Sequence, residues 1–218
     1  MDERSINWID HAGFLLRQKS QVLYIDPFKL NKTKVHADTI LITHPHSDHL
    51  SPDDIRKIAD SGTNIYVPKD SVDKIPVGNV IGVEPDRKYT DRGFEFRTVP
   101  AYNKAQNRIH FHPRESKWVG YIVTFGEKKV YHAGDTDFID EMKTLSTNIA
   151  LLPIGGTYVM EVDEAIDAAH AIDSESYSPI HYRRLLGREG SKLAEQKFLA
   201  NVKGARILEQ LEDPSYSF

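Results

Sequence analysis

Apolar and polar positions alternate in short runs along the start of the chain, at residues 5–9, 13–17 and 22–25, each run broken by turn-forming residues. That pattern predicts three short strands with tight connections and an antiparallel opening. The polar stretch 31–37 predicts a loop, and the apolar run Ile40, Leu41, Ile42 within residues 39–42 predicts a buried strand. Ser51 suits an N-cap, Pro52 the first helical position, and Asp53 and Asp54 the first turn, so a helix is expected to about residue 60. Strands at 64–67 and 79–83 then flank a short helical turn at 70–74, a βαβ-like arrangement.

From Arg87 onward the apolar runs lengthen into strands at 94–99, 118–125 and 128–131, the last two joined by a turn at Gly126 and Glu127. The polar stretch 101–117 between them predicts a long loop, and a loop of that length inside a compact fold is more often functional than idle. Residues 138–145 have helical spacing, 149–152 predict a short buried strand, and 153–158 a Gly-rich turn. A helix is expected over 161–172, with Val162, Ala165, Ile166 and Ala169 on one face. A strand at 176–180, a helix over 190–201 and a last strand near 205–208 complete the chain, which has no internal repeat and no low-complexity segment.

Composition narrows the class. With 218 residues, 39% apolar and 28% charged, the chain is expected to form one α/β domain, residues 1–218, of a soluble globular protein. No stretch approaches a membrane span, and the charged first seven residues do not resemble a signal peptide, so a cytoplasmic protein without a membrane partner is expected. The absence of cysteine excludes disulfides and Cys-type zinc sites, leaving imidazole and carboxylate as metal ligands. A net charge of −4 offers no basic footprint for nucleic acid. A homo-oligomer is compatible with the composition.

Candidate chemistry gathers at strand ends. His44, His46, Asp48 and His49 follow the strand 39–42 directly, so His44 and His46 can reach one ion while Asp48 and His49 turn toward a second. Asp135, in the turn Gly134, Asp135, Thr136, and His181 stand at two further strand ends, and in open α/β sheets such ends converge on ligands. This donor set suits Zn²⁺ or Mn²⁺, with Fe²⁺ and Ni²⁺ also compatible. Two such ions about 3.5–4 Å apart lower the pKa of a shared water and polarise a carbonyl or phosphoryl oxygen, so hydrolysis is expected. Asp48 would orient the attacking oxygen, and His11 or His132 would pass a proton to the leaving group. The competing readings are a backbone-bonded turn histidine for His11 and a backbone-bonded strand-end residue for His132. Asp137 would either orient a ligand histidine or serve as a first-turn carboxylate before Phe138. His36, His110 and His170 are expected at the surface. Lys104, Arg108, Arg114, Lys117, Arg183 and Arg184 would crowd the site mouth and favour a small anionic substrate, unless they are ordinary solvated charges.

On His44, His46, Asp48 and His49, the Gly134 to Thr136 turn and His181 after Pro179 and Ile180, the chain resembles the metallo-β-lactamase superfamily over most of its length. Its framing segments, 11–14, 25–28 and 155–158, are similar to the metal-dependent hydrolases related to ascorbate 6-phosphate lactonase. The resemblance implies a four-layer αβ/βα sandwich with a dinuclear site. By its pattern His44 and His46 bind one ion, Asp48, His49 and His181 bind the other, and Asp135 bridges them. The third histidine of the first ion would fall just after residues 94–99, where this chain has Ala101, Tyr102 and Asn103. His112, later in the same loop, is the expected replacement, preferred to His110 because Pro113 stiffens its exit. The implied activity is hydrolysis of a small, anionic ester, lactone or phosphodiester. The alternatives are an RNA-processing nuclease of the same superfamily and a non-catalytic metal-binding protein that lost turnover through Asn103.

Overall fold

Strands β1 (Arg4–Asp10), β2 (Gly13–Gln18) and β3 (Gln21–Ile25) form the antiparallel opening that the alternation predicts. β4 (Thr39–Leu41), β5 (Asn64–Pro68) and β6 (Asn79–Val83) continue the sheet in parallel, giving six strands in the order β1-β2-β3-β4-β5-β6. The second sheet begins with β7 (Lys88–Asp91), whose mixed polar sequence carries no strand signal, and continues through β8 (Phe94–Pro100), β9 (Val119–Phe125) and β10 (Lys128–His132) in antiparallel pairs. β11 (Ser146–Pro153) and β12 (Asp173–Ile180) add in parallel. The computed structural model describes residues 4–30 and 35–211, so 31–34 of the expected loop lie outside the described residues.

Helix α1 (Pro52–Ile58) starts as expected, with the Ser51 hydroxyl accepting the Asp54 N–H, but stops two residues early. Its end is set by Asp60, whose carboxylate accepts the Gly62 N–H at 2.7 Å and so turns the chain out of the helix. Residues 138–145 do not form an α-helix: the Phe138 N–H is held by Glu164 at 2.9 Å, and only a 3-10 turn, Asp140–Thr144, follows. α2 (Val162–Ala171) matches its amphipathic pattern. α3 (Arg183–Asn201) begins earlier than predicted and breaks at Gly187, where φ is 64°. The last expected strand contracts to a single bridge between Tyr177 and Ala205.

Four layers result. Ile55 and Ile58 of α1 pack with Leu15, Tyr24, Ile40, Ile42, Ile65 and Val67 on the outer face of the first sheet. Phe14, Leu16, Leu23, Ile25 and Leu41 meet Phe94, Tyr121, Val123 and Val130 between the sheets, continuous with the core under α2 and α3. This is the αβ/βα sandwich of the metallo-β-lactamase fold. Its strand directions decide where side chains meet. β3 and β4 are parallel, as are β10, β11 and β12, and β8 runs with β10 because both are antiparallel to β9. Asp26, residues 43–49, the chain after Pro100, residues 133–135 and His181 all leave strands of these sets, and the β1–β2 turn bearing His11 sits beside the end of β3. One edge of the sandwich therefore collects every strand end singled out above.

Candidate metal centre

Asp26 fixes the first sheet's contribution to that edge. It sits just past β3 with φ 45°, fully buried, and its Oδ1 accepts the Thr43 N–H at 2.8 Å. Its Oδ2 accepts the Thr43 hydroxyl at 2.6 Å and Nδ1–H of His49 at 2.7 Å. With its one proton committed to Asp26, Thr43 Oγ1 can only accept from Nδ1–H of His44, 2.9 Å away. When neutral, both histidines are thereby held as Nδ1–H tautomers that present an Nε2 lone pair.

A second device fixes His112. Asp137 accepts the amide N–H of Asn103 at 2.9 Å, which turns the Asn103 carbonyl toward His112, where it accepts Nδ1–H at 2.7 Å. The backbone repeats the pairing, with Asn103 N–H donating to the His112 carbonyl at 2.8 Å. Asn103 thus points its side chain at His112, and His112 takes the place beside His44 and His46. Asp137 itself touches no histidine. It accepts the N–H groups of Lys104 and Ala105 and the Arg108 guanidinium, which also bonds Glu164, and it caps no helix.

Three groups of ligand atoms converge, each with its atoms within 4.8 Å of one another: His44, His46 and His112; His11, Asp48, His49 and His181; and His44, His49 and Asp135. Asp135 lies between the first two, with Oδ1 3.2 Å from His49 Nε2 and Oδ2 3.1 Å from His181 Nε2, 3.4 Å from His112 Nε2 and 3.8 Å from His44 Nε2. The turn that delivers it needs Gly134, at φ +67°. His181, whose N–H donates to the His11 carbonyl, is seated against Gly155, where a Cβ would overlap the His181 carbonyl oxygen.

Nε2 of His49, His112 and His181 and Oδ1 of Asp135 are all buried and have no hydrogen-bond partner, although they lie within 3.1–3.4 Å of a ring nitrogen or carboxylate oxygen. Each such orphaned group costs about 1–3 kcal/mol, and lone pairs aimed at a shared point are what a divalent cation satisfies. The donor set of imidazoles and carboxylates fits such an ion. Burial lowers His49 and His181, yet the neighbouring Asp135 carboxylate raises both above the ordinary histidine range. Burial pushes His44 well below the ordinary histidine range, reinforced by His49. Burial opposes charge on Asp135, yet His181 and His49 hold its carboxyl well below the usual range. Burial likewise works against Asp48, but its contacts with His11 and His181 keep it far below a normal carboxyl. The centre therefore holds two carboxylates as anions among imidazoles. His46 and Asp48 are its half-buried members and mark its open side.

His11 Nε2 donates to Asp48 Oδ2 at 3.0 Å, and its ring lies 3.8 Å from that of His181. His132 stands apart, correcting its expected part in proton transfer. It is fully buried, its Nε2–H donates to the Ala12 carbonyl at 2.7 Å and its Nδ1 accepts the Gly134 N–H at 3.2 Å, so neither nitrogen can exchange a proton with a ligand. The expected basic rim also shrinks. Arg108 is buried against Asp137 and Glu164, Arg183 pairs with Glu195 and lies over Trp8, and Arg184 pairs with Asp10. His36, His110 and His170 are exposed. Asp26 and Thr43 were missed as positioning groups, although a carboxylate directly after an apolar strand was the available signal. Trp118, whose ring lies 5.2–5.8 Å from those of His44, His46 and His112, carried no signal at all.

The family model of the beta-lactamase superfamily domain matches residues 5–181, and the chain belongs to that superfamily. Within it, the chain is a metal-dependent hydrolase by kinship. It is 32% identical to the UPF0173 metal-dependent hydrolase of Thermoplasma acidophilum over 201 residues, 84% of either chain. It is 30% identical to that of Thermoplasma volcanium over 98% of this chain and 99% of the relative. A crystal structure of a candidate metal-dependent hydrolase from Parabacteroides distasonis, 33% identical, superposes with a TM-score of 0.82 over 95% of this chain and 94% of that one. Igni18, a metallo hydrolase from Ignicoccus hospitalis, shares the fold at 24% identity with a TM-score of 0.73 over 96% of both chains. No helix among the described residues is long and apolar enough to cross a membrane.

Proposed function

We propose that His44, His46 and His112 hold one divalent cation, that Asp48, His49 and His181 hold a second, and that Asp135 serves both, in a hydrolase of a small anionic ester, lactone or phosphodiester. The observation that carries this is the convergence of buried, unpartnered Nε2 and carboxylate atoms from four separate chain segments. Bound there, the cations, Zn²⁺ or Mn²⁺ first and Fe²⁺ or Ni²⁺ next, would supply Lewis acidity toward water and toward the electrophilic oxygen. The chain's own residues do the rest. Asp48, the more exposed carboxylate at 36%, orients the attacking water from the open side. His11 donates its Nε2–H to Asp48 Oδ2 and is the group placed to hand that proton to the leaving group. Asp26, Thr43 and Asn103 hold the ligand imidazoles in one tautomer, so no reorientation accompanies turnover. Similarity of the framing segments to ascorbate 6-phosphate lactonase supports a small oxygen ester, and Arg114 and Lys117 in the loop 101–117 support its negative charge.

Protein loaded with Zn²⁺ or Mn²⁺ should hydrolyse p-nitrophenyl esters, a γ-lactone or bis-p-nitrophenyl phosphate, and the Asp48→Ala, Asp135→Ala double variant should not. Equal rates in wild type and double variant would refute the assignment.

A further inference from the structure

A groove of 390 Å³ opens beside the histidine cluster, lined in part by the loop 101–117 whose Arg114 and Lys117 the sequence placed at the site mouth. Pro85, Pro100, Ala101, Tyr102 and Trp118 give it an apolar lining, and Arg87, Arg114 and Lys117 stand around it. Its size falls within the range of about 300–1,000 Å³ that small-molecule sites occupy. Trp118 belongs to both places. The indole that lines the groove also lies tilted over His44 with centroids 5.3 Å apart, and its Nε1–H is tied to Asp70 at 2.9 Å, which fixes the ring. An occupant of the groove therefore rests against the same ring that borders the centre.

The charge around the groove is one-sided. Three cations face a single acid, Glu84, which pairs with Lys69 at 3.1 Å from outside the groove and with Lys117 at 4.0 Å. The Arg87 guanidinium makes no hydrogen bond and no ion pair within 4 Å among the described residues, and only its longer-range attraction to Glu84 engages it. Arg114 lies over the Tyr102 ring at 4.9 Å and touches Glu141 at 3.2 Å, yet its side chain remains 70% exposed. Exposed cations gathered over aromatic and proline surface suit a ligand with a flat apolar body and an oxyanion, because guanidinium pairs with carboxylate or phosphate through two parallel N–H groups while the body stacks on indole.

We infer that this groove is the substrate-recognition subsite, taking a planar ring that bears a carboxylate or phosphate, with the ring on Trp118 and the oxyanion between Arg87 and Arg114. This rests on the hydrolase reading only in calling the occupant its substrate; the groove's binding is tested without turnover. Phenyl phosphate, benzoate and neutral benzyl alcohol would be titrated calorimetrically into the full chain, with and without added Zn²⁺, while Trp118 emission is followed. Trp8, the other tryptophan, is only 2% exposed and is shielded from a bound ligand. Both anions should bind more tightly than the alcohol and quench Trp118 in the metal-free protein too, and binding should weaken with salt. Arg87→Ala and Arg114→Ala should each weaken anion binding about tenfold, as loss of a charge-assisted hydrogen bond does. Equal affinity for anions and alcohol, or anion affinity unchanged in the Arg87→Ala, Arg114→Ala double variant, would overturn the subsite. The esterase and phosphodiesterase assays above report separately on the hydrolase reading, so either can fail while the other stands.

Discussion

At Asn103 a single amide decides which nitrogen of His112 carries the proton. Its N–H faces a buried carboxylate, Asp137, so its carbonyl must face the imidazole. Asn103→Ala should therefore lower Zn²⁺ affinity about 10–100-fold with the fold intact, measured by chelator competition alongside circular dichroism. Asn103→Asp separates orientation from simple acceptance. It keeps an oxygen for His112 but sets a second carboxylate against Asp137, so its affinity should also fall, whereas a mere acceptor role would leave it unchanged. His44, His46, Asp48, His49, Asp135 and His181 were legible because metal-ligand residue types at strand ends announce themselves in sequence. Asp26 and Thr43 were not, because a hydrogen bond from Thr43 to a carboxylate seventeen residues away leaves no local pattern.

Among the elements, strands with strong apolar alternation were readable to within a residue or two, as β6 and β8 illustrate. β7 was not, since its pairing with β8 rather than its own composition makes it a strand. After Asp137 the chain makes only a 3-10 turn, while Glu164 of α2 accepts the Phe138 N–H and Asp137 turns back to organise the loop of Lys104 and Ala105. The loop 101–117 was expected to be functional, and its path follows from closure at both ends by the Ala101–Trp118 and Asn103–His112 backbone bonds. The turn after β11 is equally constrained. Gly155→Ala would drive a methyl into the His181 carbonyl, so it should lower stability by about 1–3 kcal/mol in urea denaturation and weaken Zn²⁺ binding as well. Gly156→Ala meets no such backbone atom, its nearest neighbour being Glu161 Cγ at 3.6 Å, and so isolates steric overlap from the strain of its own positive φ.

At the scale of the whole molecule, the two sheets repeat one plan, antiparallel hairpins followed by parallel strands, and each supplies part of the centre. Asp26 and residues 43–49 come from the first sheet, and Asn103, His112, Asp135 and His181 come from the second. The α/β class was legible from length and element pattern and the four-layer sandwich from the family resemblance, while the meeting of the two halves at one edge depended on strand directions that sequence alone does not state. That division has a kinetic consequence. Neither half of the chain can assemble a full coordination sphere, and the pairing of ends more than a hundred residues apart belongs to the slow, non-local part of folding. In refolding from urea, a Zn²⁺-responsive dye should lose its metal to the protein only after far-UV circular dichroism has recovered most of its amplitude. Metal capture that keeps pace with secondary structure would mean that one half of the chain already traps the ion by itself. Cation uptake thus doubles as a timer for the docking of the two sheets.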